Sequence, residues 1–208
     1  MTGVKLPASG ERRLIRMSDS IALWQGEHVN FATVLVLLEA QLDLFHQGKD
    51  PDYEAMLDIM FYMTHYPDVL HHPREDLAFA RILELDPNSR AIVDDLTEQH
   101  ARLKGFGEAL VRALENVVNG SITSRDWVEV PGRAYIAEFR SHMLKEETAI
   151  LPLAAKLLSE ADWASMGAAI RHLDDPLFGP KGEERYASLR EQITREARTS
   201  QARRLTGP

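Results

Sequence analysis

The sequence predicts an all-α fold, namely an antiparallel up-down four-helix bundle with a short helical C-terminal extension. Apolar residues recur every three or four positions through four long segments, which is the spacing of one buried stripe per helix. No segment shows the period-two alternation of β-branched residues that is typical of strands. Loops of a few residues join the long segments, and such short loops make neighbouring helices run antiparallel.

Each long segment is bounded by capping or helix-breaking residues. Ser18 is a plausible N-cap for the first helix, and Gly48 follows its end. The four helices are predicted near residues 18–47, 52–85, 86–119 and 124–159. We expect a flexible leader over residues 1–17, the bundle over residues 18–159 and a charged helical extension over residues 160–208. The extension is expected to pack on the outside of the bundle or against a second subunit, which would make a homodimer.

Composition excludes several classes of function. The chain of 208 residues has 24 Lys and Arg against 32 Asp and Glu, a formal charge of −8, which argues against binding the phosphates of nucleic acids. It has no Cys, which excludes disulfides, a thiolate zinc site and a cysteine nucleophile. Apolar runs such as residues 32–38 are much shorter than the roughly 20 residues of a membrane span, and no secretory signal is visible. We therefore expect a cytoplasmic protein without a nucleic-acid or membrane partner.

Ionisable residues interrupt the apolar stripes. His28, His100, His142 and Glu146 lie at stripe positions that are otherwise occupied by Leu, Phe and Val. A buried carboxylate costs several kcal/mol unless another group compensates for it. One such histidine would be an ordinary hydrogen-bonded core residue, so the argument for a site depends on repetition.

The repetition is a pair of matching segments. "HHPREDLAF" at 71–79 and "HMLKEETAI" at 142–150 share the pattern His-x-x-x-Glu-acid-x-Ala-apolar, which places His71 with Glu75, and His142 with Glu146, on one helix face. A lone histidine lies 43 residues before the first pair and 42 residues before the second. The chain thus uses the same helix pair twice, and each pair offers two imidazoles and one carboxylate.

Four imidazoles and two carboxylates at one level of a core favour metal binding. Cations compensate for the buried negative charge, and two histidines with a carboxylate per metal are typical of non-haem iron that meets oxygen. We expect two iron ions, with manganese or zinc as alternatives, bridged by the two carboxylates and by an oxide or hydroxide. The predicted metal ligands are His28, His71, Glu75, His100, His142 and Glu146.

The same motifs resemble those of the hemerythrin-like family, whose domains are named for His-His-Glu (HHE) cation binding. The resemblance rests on "EHVNF", "HHPRED", "EQHARL" and "HMLKEE", and it covers roughly residues 18–158. It implies a carboxylate-bridged di-iron site inside an up-down four-helix bundle. By position, the four stripe histidines become nitrogen ligands, and Glu75 and Glu146 become the bridging carboxylates.

Two departures from the oxygen-carrying members change the expected function. Those members have a further histidine one turn beyond the third-helix histidine, where this chain has Lys104. Glu147 also lies beside Glu146, which leaves open which of these two acids bridges. With one nitrogen fewer, binding of or reaction with oxygen, peroxide or nitric oxide is favoured over simple oxygen transport.

Other classes of function remain as alternatives. The first is a non-enzymatic iron or oxygen sensor, or an iron-holding module, and whether the protein is an enzyme of the oxidase or peroxidase type stays undecided. A ferritin-like oxidase is disfavoured because the chain has no Glu-x-x-His. A bundle without any metal is the remaining alternative.

Several further residues have secondary roles in this interpretation. His72 is expected at the surface or behind the ligands, with an accessory ligand role less favoured, because it points about 100° away from His71 in a regular helix. Pro67 and Pro73 are expected to restart or kink the second helix. Three tyrosines are expected in core packing, three histidines as non-ligands and three acids as acceptors behind the ligands: Tyr62, Tyr66, Tyr135; His46, His65, His172; Glu27, Asp76, Glu98.

Overall fold

The protein is helical throughout the part of the chain described by the computed structural model, which comprises residues 17–121, 124–170 and 173–205. The α-helices are α1 (Met17–His46), α2 (Tyr53–Tyr66), α3 (His72–Leu85), α4 (Arg90–Val118), α5 (Asp126–Lys145), α6 (Leu151–Leu157), α7 (Glu160–Ala169) and α8 (Ala187–Leu205). The all-α prediction is confirmed for these residues, which include no strand. The predicted leader lies outside the described residues except for Met17, and so does His172.

Two of the predicted helices contain a π turn. Pro67–His71 joins α2 to α3, and Glu146–Ile150 joins α5 to α6, so each set forms one continuous helical segment. In the first turn the His72 N–H donates to the carbonyl of Pro67, five residues earlier. The expected irregularity near the two prolines is therefore a π turn, which inserts one extra residue and rotates all later side chains around the helix axis.

The four long helical segments pack around one another. α1 and α4 each contact both α2 and α5. Their apolar faces form a large core, which includes Phe31, Met60, Leu110 and Phe139. A separate, smaller core includes Trp24, Phe79, Leu96, Leu151 and Trp163.

The predicted ligands lie between these two cores along every segment. In α1, His28 follows Trp24 of the small core and precedes Phe31 of the large core. In α4, His100 lies in the same order between Leu96 and Leu103. The order is reversed in the two segments that carry π turns, where the large core precedes the histidines and the small core follows the glutamates. The ionisable residues therefore form a layer between two apolar regions.

Residues 173–189 of the predicted extension pack against the bundle of the same chain. Asp175 accepts hydrogen bonds from the backbone N–H groups of Leu177 and Phe178 and from the Tyr62 hydroxyl, at 2.8, 2.9 and 2.9 Å. Leu177, Tyr186 and Leu189 complete the large core. Packing on the outside of the bundle is thus the arrangement found, while the predicted homodimer stays a prediction.

By length and composition, α1 could cross a membrane. Its segment Ser20–His46 has a mean hydropathy of 1.3, and 44% of that window is buried within the protein. The core helix of a soluble protein meets the same criterion, and α1 supplies His28 and Phe31 to the interior. Its hydropathy is therefore explained by its position in the core.

Candidate metal centre

All six predicted ligands lie in the interior layer. Five of them are buried, and Glu75, His142 and Glu146 are at most 1% exposed. His100 is nearly as well covered, with 11% of its side chain exposed. Charged residues are almost never fully buried without compensating partners, so this layer requires a chemical explanation.

The donor atoms form two adjacent groups. In each group every residue offers one ligand atom, and these atoms all lie within 4.8 Å of one another. The first group contains His28, His71, Glu75 and Glu146, and the second contains His72, Glu75, His100 and His142. Glu75 belongs to both groups, so its two oxygens can serve two cations.

Short distances connect the two groups through the glutamates. His71 Nε2 lies 2.8 Å from Glu75 Oε1, and His100 Nε2 lies 3.7 Å from Glu75 Oε2. Glu146 also lies between the two groups. Its Oε2 is 3.3 Å from His28 Nε2 in the first group, and its Oε1 is 3.3 Å from His142 Nε2 in the second. Each carboxylate therefore presents one oxygen to each group.

Glu146 and Glu147 differ sharply in their positions. Glu146 is fully buried, whereas the side chain of Glu147 is 43% exposed. Glu147 reaches the layer only from outside, where its Oε1 lies 3.2 Å from His28 Nδ1. Of these two acids, the structure brings Glu146 into the cluster.

The surface position expected for His72 is wrong, because this residue is buried and belongs to the second donor group. It is 4% exposed, and its ring stacks on that of His100 with centroids 4.2 Å apart and planes 18° from parallel. The expected surface position assumed a regular helix, but the π turn that ends at His71 changes the angular relation of these neighbours. The signal in the sequence was a histidine doublet flanked closely by Pro67 and Pro73.

A shared pattern orients the five histidines. Each places Nε2 toward the cluster and Nδ1 toward an acceptor behind it, an arrangement that fixes the tautomer and the ring direction of metal-binding histidines. The Nδ1 pairs are His28 with Glu147 at 3.2 Å, His71 with Glu27 at 2.7 Å, His72 with Asp68 at 3.2 Å, His100 with Asp76 at 3.0 Å, and His142 with Gln99 at 3.1 Å.

Two of the three expected acceptors are confirmed. Glu27 and Asp76 bind histidine Nδ1 atoms as expected, but Glu98 instead faces Arg102 at the surface, 3.6 Å from Nη1. Sequence reasoning missed Asp68 and Gln99. Gln99 directly precedes His100 but serves His142 on another helix, a relation that no local pattern reveals.

Glu27 also connects the layer to surrounding residues. Its two oxygens accept from Arg74 Nη2 at 2.6 and 2.8 Å, and Oε1 also accepts from the Tyr66 hydroxyl at 2.8 Å. Burial opposes ionisation of this carboxyl, but the hydrogen bond and charge of His71, followed by the Arg74 guanidinium, lower the pKa of Glu27 to about 2. Glu27 is therefore a fixed anion behind His71.

Without a cation, protons compensate for the buried charges. Burial would lower the pKa of His28, but Glu146 and Glu75 raise it to about 10. Burial likewise opposes protonation of His100, whose pKa Asp76 and Glu75 raise to about 9. Burial and the charge of Glu75 raise the pKa of Glu146 to about 7.

Other groups of the layer titrate in the opposite direction. Burial would raise the pKa of Glu75, but the charge of His71 and the close approach of the His100 and His28 imidazoles hold it well below its usual range. Burial lowers the pKa of both His72 and His142, so their rings stay neutral. Neutral imidazole is the form that binds a metal.

Unpaired buried atoms test whether a cation fits this layer. Among the described residues, buried side-chain atoms without a hydrogen-bond partner are concentrated here: His72 Nε2, His100 Nε2, His142 Nε2 and both carboxylate oxygens of Glu75 and Glu146. Buried polar atoms are normally hydrogen-bonded, and each exception is costly. Nitrogen and oxygen atoms that converge in this way match the ligand preferences of zinc and iron-group cations, so the residues fit a metal.

The remaining candidates lie outside the two donor groups. Tyr62 and Tyr135 are core aromatics as expected, and Tyr62 donates to Asp175. His46 pairs with Glu129, and His65 stacks on Phe61, so neither contacts the layer. Lys104, which replaces the further histidine of the oxygen carriers, is exposed.

The fold and the buried donor set define a helical protein with a histidine–carboxylate cation site. The family model of the hemerythrin HHE cation-binding domain matches residues 19–154, so the chain belongs to this family. The resemblance inferred from the four motifs is thereby confirmed, and membership of this family implies that the chain binds cations. Comparisons with curated proteins and with solved structures found no match.

Proposed function

We propose that the protein holds two iron ions side by side in the layer and binds or reacts with oxygen, peroxide or nitric oxide there. The observation that carries this proposal is the sharing of Glu75 between two complete donor groups. One carboxylate within reach of both groups is the arrangement of a bridged pair, whereas two separate sites would need no common residue. Manganese and zinc are the alternative metals, and the bridging solvent oxygen is an oxide or hydroxide.

The donor count supports two ions of unequal environment. His28 and His71 supply two nitrogens to one position, while His72, His100 and His142 supply three to the other. Glu75 and Glu146 would bridge, each with one oxygen on either side. The position with two nitrogens has fewer protein ligands and is where an open coordination site is expected.

The iron pair would supply binding and electron exchange with the small ligand, and the protein would control access and geometry. Phenylalanine rings cover the imidazoles from both cores, with Phe31 5.0 Å from His71 and Phe79 5.9 Å from His100 between centroids. These rings exclude water from the layer. The Nδ1 acceptors keep the imidazoles aimed at the cluster. Glu27 accepts the Nδ1 proton of His71, and Arg74 in turn donates to Glu27 and fixes its position.

His72 changes the comparison with the oxygen carriers. The sequence argument against reversible oxygen binding was the nitrogen lost at Lys104, and the structure provides a fifth imidazole from a different helix. Reversible binding is therefore the form of this function that His72 favours. Reaction with bound peroxide or oxygen is the competing form.

A sensor or iron-holding module is the second candidate function. It is favoured by the path from His71 through Glu27 to Tyr66, whose ring stacks 5.7 Å from that of Tyr62. Tyr62 in turn holds Asp175 of the C-terminal extension. Metal binding would alter the extension by this route. Metal-free and metal-loaded protein would then differ in the protection of the backbone amides of residues 173–189 from hydrogen exchange.

The proposed arrangement is an antiparallel up-down four-helix bundle of 18–159 with the C-terminal extension packed outside. The alternating order of the large and small cores along the four helical segments supports this direction pattern. A cytoplasmic location, the absence of nucleic-acid and membrane partners, and a homodimer formed through the extension remain parts of the proposal.

Iron analysis tests the main proposal. Protein reconstituted with ferrous iron under anaerobic conditions should hold about two irons per chain. Stopped-flow addition of oxygen, peroxide or nitric oxide should then produce ligand-specific absorption changes, and removal of the gas should reverse them if binding is reversible. One metal per chain, or iron that responds to none of the three ligands, would contradict the proposal.

A further inference from the structure

A cavity lies beside the metal layer and has no role in the function proposed above. It has a volume of about 110 Å³ and is enclosed mainly by apolar side chains of α1, the first π turn, α3 and α7. Trp24 and Trp163 form part of its wall, and their rings meet edge to face with centroids 5.3 Å apart. Leu70, Met166 and Ile170 contribute aliphatic surface.

One wall residue has a polar group without a partner. Trp163 is 2% exposed, and its indole Nε1–H has no acceptor among the described residues. A buried N–H without an acceptor is unusual in a folded protein, because tryptophan normally finds a hydrogen-bond partner when it is buried. Because Trp163 lines the cavity, we infer that a molecule bound there supplies the missing acceptor.

The charges around the cavity argue against an anionic occupant. Arg74 lines the cavity, but its guanidinium is already paired with both oxygens of Glu27 through Nη2. The two contacts are 2.6 and 2.8 Å long, so the Glu27 carboxylate balances the positive charge of Arg74.

We propose that this cavity binds a small, uncharged, apolar molecule that carries one acceptor oxygen, such as a cyclic or aromatic ketone. Its hydrocarbon part would lie against the two indole rings, and its oxygen would accept from the Trp163 N–H. An apolar cavity of roughly 150 Å³ accommodates benzene. This cavity of about 110 Å³ is smaller but partly open, so a single six-membered ring is the largest hydrocarbon part that we expect it to hold. None of the predicted metal ligands lines the cavity, and Trp24, Trp163 and Met166 of its wall belong to the small core, so the proposal can be tested with and without metal.

The three tryptophans of the chain provide a direct readout. Trp24 and Trp163 line the cavity, whereas Trp127 is 63% exposed at a distance from it in the sequence and absent from its lining. Full-length protein loaded with diamagnetic zinc, and the same protein without metal, would be titrated with cyclohexanone while the three indole N–H resonances are followed by ¹H–¹⁵N correlation. The resonances are assigned with the Trp24→Phe, Trp127→Phe and Trp163→Phe variants.

The expected result is a saturable shift of the Trp163 N–H resonance in the direction of a stronger hydrogen bond. The Trp24 resonance should also move, and the Trp127 resonance should not. Methylcyclohexane has no acceptor, so it should not move the Trp163 N–H resonance in the direction of a stronger hydrogen bond. Cyclohexanecarboxylate should bind more weakly than the ketone, because Glu27 already neutralises Arg74.

Two variants separate the acceptor argument from simple filling of the cavity. Trp163→Phe removes the N–H and should weaken ketone binding, measured by calorimetry, about fivefold, which corresponds to one hydrogen bond of about 1 kcal/mol, while methylcyclohexane binding should stay nearly unchanged. Leu23→Phe, at a 42% exposed position in the lining, should block binding, whereas Leu85→Phe, equally exposed at 41% but outside the lining, should leave it unchanged. A Trp163 resonance that does not move, equal shifts at Trp127, or a Trp163→Phe variant that binds the ketone as tightly as the parent protein would overturn the proposal.

Discussion

His72 stacks face to face on His100, with ring centroids 4.2 Å apart, although the two residues lie on different helices. Both rings direct Nε2 into the same donor group, and both Nε2 atoms lack a hydrogen-bond partner. The contact explains how a fifth imidazole enters the layer. The π turn before His72 brings it beside His100, and Asp68 and Asp76 hold the two rings from behind.

Replacing His72 with Ala should remove a ligand from only one of the two metal positions. The group that it shares with His100 and His142 would retain two imidazoles and the glutamate, so its metal affinity should fall by at least about tenfold. Iron content measured after dialysis should decrease from about two to about one per chain. His65→Ala is the matched control, because His65 stacks on Phe61 outside the layer. Unchanged iron content in the His72 variant would exclude His72 as a ligand.

Replacing Glu75 with Gln should affect both metal positions together. Its two oxygens face different donor groups, and the neutral amide keeps the volume while it removes the negative charge. We expect the loss of most iron from both positions, measured by metal analysis, with helical circular dichroism preserved. Glu98→Gln is the control, since Glu98 is 74% exposed, faces Arg102 outside the layer and should retain nearly all iron. A Glu75 variant that keeps a single tightly bound iron would show that Glu75 serves only one position.

Metal uptake should release protons at neutral pH. The pKa values of His28 and His100 are raised to about 10 and about 9, so both rings carry a proton at pH 7 that a cation must displace. Zinc addition to weakly buffered metal-free protein should release at least about two protons, counted with a pH indicator, because Glu146, whose pKa is about 7, contributes to the release as well. Excess chelator should reverse the release. A titration without proton release would contradict neutral imidazole binding at these residues.

The same groups determine how stability depends on pH. His28 and His100 have higher pKa values in the metal-free fold than in the unfolded chain, where the histidine pKa is near 6.5, so their protonation stabilises the fold. This contribution is complete below about pH 6.5 and is lost as the pH rises through about 9 and 10. Neutral histidines favour the metal, so zinc should raise Tm more at pH 9 than at pH 6.5. Thermal unfolding with and without zinc at both values measures the difference. A larger zinc effect at pH 6.5 would have the wrong sign.

Two glycines of α4 provide a matched test of the bundle packing. A Cβ on Gly107 would lie 2.9 Å from Thr64 Cγ2 and 3.2 Å from Tyr135 Cε2, so this glycine permits the close approach of neighbouring helices. Gly107→Ala should lower the free energy of unfolding by about 1–3 kcal/mol through overpacking. Gly105→Ala meets nothing within 4 Å and should raise it by up to about 1 kcal/mol through helix propensity. Denaturant unfolding measures both, and equal effects would contradict the close packing at Gly107.

Local sequence patterns were sufficient for the helices and for most residues of the layer. The apolar period located the long helical segments, and His-x-x-x-Glu located Glu75 and Glu146 because residues four apart share a face. His72 was misplaced because a regular helix was assumed where the chain forms a π turn. Gln99 was missed because its partner His142 lies on another helix, which only the three-dimensional packing determines. The cavity beside Trp163 was likewise invisible, since it arises between elements that are distant in the sequence.

The central claim is a pair of iron ions bridged by shared carboxylates, and X-ray absorption spectroscopy of the anaerobically loaded protein tests it most directly. The account predicts about two irons per chain, a first shell of nitrogen and oxygen without sulfur, and clear iron–iron scattering. Glu75→Gln should abolish the iron–iron signal. A spectrum of isolated iron at full loading, without iron–iron scattering, would contradict the shared role of Glu75 and with it the proposed bridged pair.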